Sequence, residues 1–268
     1  MRPSCAFIRL SLGLRRTRRM SSEVVERMEH TKAVLAVFAV AVLMLTPGCS
    51  APVVSPCSPS VVPSFGPMLH ATVQIKTFKE DGSGIASGSG IVVGMGIYNP
   101  VSSARAKKTG TRILTAKHLL EGEGLTTLRV YQGDRVLAAV PEQLGLGSEA
   151  DWMTLICDGV IGRAIPLVSG YGHVTPFEPC AVMGHPLTIA TPTLTEGRIQ
   201  AVESWGIRIS APIIFGNSGG GLYVVREGQW VLAGVTVGIY ATGYGIPITH
   251  MGLCVDVRSI LAQGAELN

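Results

Sequence analysis

The stretch "IIFGNSGGGLYVV", residues 213–225, breaks an apolar run with small residues around Ser218 and then resumes as an apolar strand. Such a break between β-type runs marks a turn. Glycines serve there either to turn the chain or to bring backbone N–H groups close to a ligand with no side chain between. Which use applies depends on what the rest of the chain supplies.

Outward from this stretch the same pattern repeats. From about His70 the chain reads as short apolar or alternating runs, among them "ATVQIKTF", "GSGIVVG", "TRILTAKHLL", "LRVYQ", "DWMTLIC", "PCAVMG", "GRIQAVES", "GIRISAP", "WVLAGVTVGIY" and "HMGLCVDV". Gly, Pro, Asn and Ser separate them. About a dozen short strands at this spacing predict an all-β sandwich or barrel, with too few helical stretches for βαβ units. One terminal helix is expected within "VDVRSILAQGAEL". Residues 95–110, "MGIYNPVSSARAKKTG", read as a long exposed hairpin loop.

Composition agrees. The 268 residues are 47% hydrophobic and 15% charged, with 33 glycines, which suits a β-rich chain with tight turns. The net charge of +4 belongs to the first 48 residues, which hold eight Lys/Arg and three Asp/Glu. That leaves 14 basic and 15 acidic residues for the remainder, so no nucleic-acid partner is expected. The basic segment "RRTRRM" precedes the apolar run Ala33–Leu45, which has the length of a secretory signal core rather than a membrane span. Met28 is a possible alternative start. The sequence "TPGCSAP" resembles a bacterial lipobox, although Thr46 stands where Leu or Val is usual. The resemblance implies export and a lipid anchor at Cys49. Residues 1–49 thus read as a leader, 50–67 as a Pro/Ser-rich flexible tether, and 68–268 as the folded domain. The six cysteines form no zinc-type spacing, and no metal or cofactor site is expected. Cys157 and Cys180 are either a disulfide pair or buried free thiols.

A nucleophilic serine needs a base to take its proton and a carboxylate to orient that base. Five histidines follow the leader: His70, His118, His173, His185 and His250. His118 closes the apolar run "ILTAKHLL", and Asp151 opens the buried-looking strand "DWMTLIC". Taken alone, each is an ordinary turn or surface residue. Together they give the order His, Asp, Ser at intervals of 33 and 67 residues, in three matched strand-to-turn contexts.

With these residues in view, the chain resembles a chymotrypsin-fold (trypsin-like) serine protease, closest to the HtrA/Deg type without a PDZ domain. "SGSGIVV", "LTAKHLL", "DWMTLI" and "GNSGGGL" resemble the family's successive motifs, and "VMGHP" and "TEGRIQAV" its intervening segments. The resemblance covers about His70 to Leu261. It implies two six-stranded antiparallel β-barrels with a short C-terminal helix. It also implies Ser218 as nucleophile, His118 as general base and Asp151 as orienting carboxylate. The N–H groups of Gly216 and Ser218 would form an oxyanion hole. Polypeptide substrates and a possible homo-oligomer follow from it, as does a regulatory role for the 95–110 loop.

The chain departs from the family in places. Gly221 stands where proline usually follows "GNSGG". Pro212 stands six residues before the serine, where trypsin-like specificity places an aspartate. With Val237 as a pocket wall, an apolar primary pocket is expected. Two other readings are weaker. "SGSGIVVGMG" opens no helix, so it is not a dinucleotide fingerprint. An α/β-hydrolase esterase places His last in chain order rather than first. A protease-shaped protein that binds peptides without cutting them stays open.

Overall fold

The computed structural model describes residues 63–98, 108–147, 150–204 and 206–267. The leader with Cys49, most of the tether and the centre of the 95–110 loop lie outside the described residues.

The strands form two closed antiparallel barrels of six. The first contains β1 (Thr72–Lys79), β2 (Gly84–Tyr98), β3 (Lys108–Thr115), β4 (Leu125–Gln132), β5 (Arg135–Leu144) and β6 (Met153–Cys157), in spatial order β1-β2-β3-β6-β5-β4. The second contains β7 (Pro179–Gly184), β8 (Thr193–Glu203), β9 (Gly206–Ile209), β10 (Gly221–Arg226), β11 (Gln229–Ala241) and β12 (Pro247–Asp256), in order β10-β11-β12-β9-β8-β7. The expected architecture is therefore found, including the C-terminal helix, here α2 (Val257–Ala262) after the short α1 (Gly66–Ala71). Asp256 caps α2 by accepting a hydrogen bond from the Arg258 N–H at 2.8 Å.

Alternation along the strands decides which side chains go where. In β1, Val73 and Ile75 fill the first barrel with Ile113, Val130, Met153 and Leu155. The intervening Gln74 and Lys76 face the other way. The second barrel is filled by Val182, Ile199, Ile207, Leu222, Val224 and Val231. A third apolar cluster joins the barrels: Ile91, Leu114 and Trp152 from the first meet Met183, Tyr223 and Leu232 from the second. Trp152 and Tyr223 are fully buried there. Truncating such an aromatic to alanine costs about 3–5 kcal/mol, so the docking of the barrels is as firm as their interiors.

Two details differ from expectation, and one open alternative is resolved. The tether expected to run to Pro67 gives way earlier to packed chain. Phe65 stacks on Trp230 with ring centroids 5.5 Å apart, and Trp230 Nε1 donates to the Pro63 carbonyl. The 95–110 segment is partly strand, because β2 and β3 stay paired out to Tyr98 and Lys108. Cys157, Cys180 and Cys254 are buried free thiols. Cys157 lies on β6 and Cys180 on β7, in different barrels, so the contemplated bond between them is not made. Among the described residues no helix is long and apolar enough to cross a membrane.

Candidate active site

The first barrel supplies an acid–base pair. After β3 the chain enters a 3-10 turn, Lys117–Leu120, pinned by Leu119, which is buried in the barrel core. That burial turns the neighbouring His118 outward toward Asp151, which precedes β6. The Asp151 carboxylate accepts from the His118 backbone N–H at 2.9 Å, and its second oxygen lies 2.6 Å from His118 Nδ1. Nε2 is thereby left as the ring nitrogen available to a substrate or nucleophile. The hydrogen bond with Asp151 raises the His118 pKa above its ordinary 6.5, outweighing the opposing effect of burial. Burial by itself would raise Asp151. The hydrogen bonds and charge of His118 overcome it and hold the carboxyl below the usual value.

The second barrel supplies the serine loop, Phe215–Gly220, ahead of β10. Its shape depends on two glycines. Gly216 has φ +93°, and a Cβ there would come within 2.5 Å of the His185 carbonyl oxygen. Gly219 has φ +82°, and a Cβ there would come within 2.0 Å of the Ser89 carbonyl oxygen. The Phe215 carbonyl accepts from the Leu187 N–H at 2.8 Å. Because a trans peptide points C=O and N–H in opposite directions, this contact turns the Gly216 N–H away from Leu187. The N–H groups of Gly216 and Ser218 donate to no other described residue.

The two contributions meet at a cavity of about 420 Å³, lined by His118 and Ser218 together with Ile213, Phe215, Val237 and Ile239 among others. Among the described residues His118 is its only titratable lining residue, and the remaining walls are largely apolar. Phe215 stands at the rim with 73% of its surface exposed. Val237 lines the cavity. Pro212 does not, and Ile213 takes the wall beside it, held to β12 by a hydrogen bond from its N–H to the Thr249 carbonyl at 3.1 Å. No hydrogen bond joins Ser218 Oγ to His118 among the described residues, an arrangement common where no substrate is bound. Cys49 lies outside the described residues.

Ser89 on β2 is a site residue that the sequence did not single out. It is fully buried between the barrels. Its N–H donates to the Ser218 carbonyl at 2.7 Å, and its hydroxyl donates to the Gly216 carbonyl at 2.7 Å. The same hydroxyl accepts from the His185 N–H at 2.8 Å, and its carbonyl accepts from Thr115 Oγ1 at 2.6 Å. One residue of the first barrel thus holds the serine loop of the second. His185 is buried beside that loop, with Nδ1 3.0 Å from the Ile189 carbonyl. Burial lowers its pKa below the ordinary value. His70, His173 and His250 are exposed and line no part of the cavity. Among the described residues no group of three or more His, Cys, Asp or Glu could hold a metal ion.

The chain matches no protein-family model and no curated protein sequence. The two-barrel architecture is compatible with a chymotrypsin-like fold.

Proposed function

We propose that the protein is a serine endopeptidase of the trypsin-like class, acting through Ser218, His118 and Asp151. One observation carries the reading: His118, hydrogen-bonded to Asp151, and Ser218 line one cavity although they come from different barrels. His118 Nε2 takes the proton of the Ser218 hydroxyl as Oγ attacks the substrate carbonyl. The developing oxyanion accepts from the N–H groups of Gly216 and Ser218, each such donor being worth about 10²–10³ in rate. His118 then gives the proton to the leaving amine, and water repeats the sequence to release the acyl group. The apolar walls around Val237 favour an apolar residue before the cut bond. Export and lipid anchoring through Cys49 enter from the leader sequence alone, and a homo-oligomer enters from the family resemblance.

A second reading, a protease-shaped protein that binds peptides without cutting them, draws on the missing Ser218–His118 hydrogen bond. Labelling of the full chain with a fluorophosphonate decides between them. Labelling that Ser218→Ala and His118→Ala both abolish supports the peptidase. A folded wild type that stays unlabelled supports the binding protein.

A further inference from the structure

The sheet face that holds the serine loop continues past it. On β1 and β2, Gln74 pairs with Ser89 and Lys76 with Ser87, so the two pairs form successive rungs on one face. The first rung fixes the site: Ser89 holds Gly216, and Gln74 Nε2 donates to the Thr188 carbonyl at 2.9 Å. The second rung, about 7 Å further on, lines a separate cavity of about 300 Å³ with Phe78, Ile85 and Thr188. Strands β1 and β2 wall most of this cavity, with Thr188 from the second barrel's β7–β8 connection, and Ser89, one rung away on β2, bonds the serine loop that lines the apolar cavity.

The chemistry of the second cavity is cationic. Lys76 stands directly opposite Arg129 on β4. Like charges directly opposite each other on a sheet destabilise it. Neither cation forms an ion pair among the described residues; each lies over an aromatic ring instead, Lys76 over Tyr131 at 4.9 Å and Arg129 over Phe78 at 5.2 Å. The acids of the adjoining turn do not neutralise them: Asp81 accepts from the Ser83 N–H, and Glu80 is exposed. Ser87 Oγ is buried and finds no protein partner. An uncompensated ammonium and an unused hydroxyl donor, on neighbouring positions of one cavity, together match a carboxylate.

We propose that this cavity is a subsite for a carboxylate side chain on the leaving-group side of a polypeptide substrate, with Lys76 as its ion partner and Ser87 as a hydrogen-bond donor. The proposal rests on the peptidase reading of the apolar cavity. Ser89 touches the serine loop at Ser218, and the Lys76–Ser87 rung lies two positions, about 7 Å, further along the sheet, which is the span of about two residues of an extended chain past Ser218. The subsite therefore selects Asp or Glu at the second residue after the bond.

The test uses the full chain and hexapeptides with Val third and Glu, Gln or Lys fifth. Fluorescence anisotropy on Ser218→Ala measures binding without cleavage, and mass spectrometry on the wild type locates the cut. The Glu peptide is expected to bind Ser218→Ala about fivefold more tightly than the Gln peptide, the upper range for a partly exposed ion pair. Added Lys76→Gln removes that advantage, added Lys76→Arg retains it, and 0.5 M salt shrinks it. Lys76→Gln relieves the repulsion with Arg129 while losing the contact over Tyr131, so its melting temperature should change little, which separates lost recognition from lost folding. Equal binding of the Glu and Gln peptides, no binding of either, or a preference that survives Lys76→Gln overturns the subsite. Failure of the wild type to cut any peptide counts against the peptidase reading alone, since the Glu-to-Gln ratio is read on the variant that lacks the nucleophile.

Discussion

Replacing Ser89 by alanine removes one oxygen and unpairs two groups, one buried and one partly buried. The Gly216 carbonyl loses its donor at 2.7 Å and the His185 N–H its acceptor at 2.8 Å. Each such polar group left unsatisfied costs about 1–3 kcal/mol, so the total loss is about 2–6 kcal/mol. For a domain of this size each kcal/mol lowers the melting temperature by about 2–4 °C, so a fall of roughly 10 °C is expected. The backbone contact from Ser89 N–H to the Ser218 carbonyl survives, and the fold with it. What loosens is the peptide that presents the Gly216 N–H. The rate of fluorophosphonate labelling should therefore drop by at least about tenfold, below the full loss of an oxyanion donor. Thermal denaturation and labelling kinetics on the same preparation provide the two readouts, with Ser89→Thr, which keeps the hydroxyl, restoring part of both. A variant that melts and labels like the wild type would show that the clasp between the barrels does not position the serine loop.

Five further outcomes are expected. Labelling should rise with pH through a midpoint above 6.5, because His118 must be neutral to accept the Ser218 proton and Asp151 raises its pKa. Asp151→Asn should lower that midpoint and slow the reaction by about 10³–10⁴, so an unmoved profile would contradict the pairing. The same raised value stabilises the fold below pH 6.5, and the increment fades as pH rises through the folded pKa, as a titration of stability would reveal. Val237→Asp places a carboxylate in the apolar cavity, so cleavage after Val or Leu should fall at least about tenfold and cleavage after Lys should emerge in a peptide mixture. Cys157, Cys180 and Cys254, with pKa values pushed up to about 12 by burial, should resist thiol reagents at neutral pH until the chain is unfolded.

The strand pattern was legible because each strand is a short run, either alternating as in β1 or continuously apolar as in β6, bounded by turn residues, which is a local signal. His118, Asp151 and Ser218 were legible as candidates because each closes or opens such a strand. Ser89 was visible only as part of "GSGIVVG". Its role depends on partners at positions 115, 185, 216 and 218, which no local pattern connects. The glycine at position 88 was a usable hint, since a Cβ there would come within 2.8 Å of the Ser218 carbonyl, and glycine inside a strand often marks a close backbone approach. Lys76 was equally hidden, because its significance lies in the register that sets it beside Ser87 and opposite Arg129. Counting back six residues from the serine pointed to Pro212, yet the hydrogen bond of Ile213 to the β12 side of the cavity makes the next residue the wall.

The division of the site between barrels has a consequence for synthesis. A nascent chain emerges from its N-terminus, and domains tend to fold in that order. His118 and Asp151 belong to the barrel that emerges first, and their hydrogen bonds need only its strands. Ser218 follows later, and its barrel closes only when β12 pairs with β9 and β11. Until that moment the cavity around Val237 has no completed wall, so a growing chain on the ribosome carries the His118–Asp151 pair before Ser218 is seated beside it. On the peptidase reading proposed above, neighbouring nascent polypeptides are thereby spared for as long as the second barrel stays open.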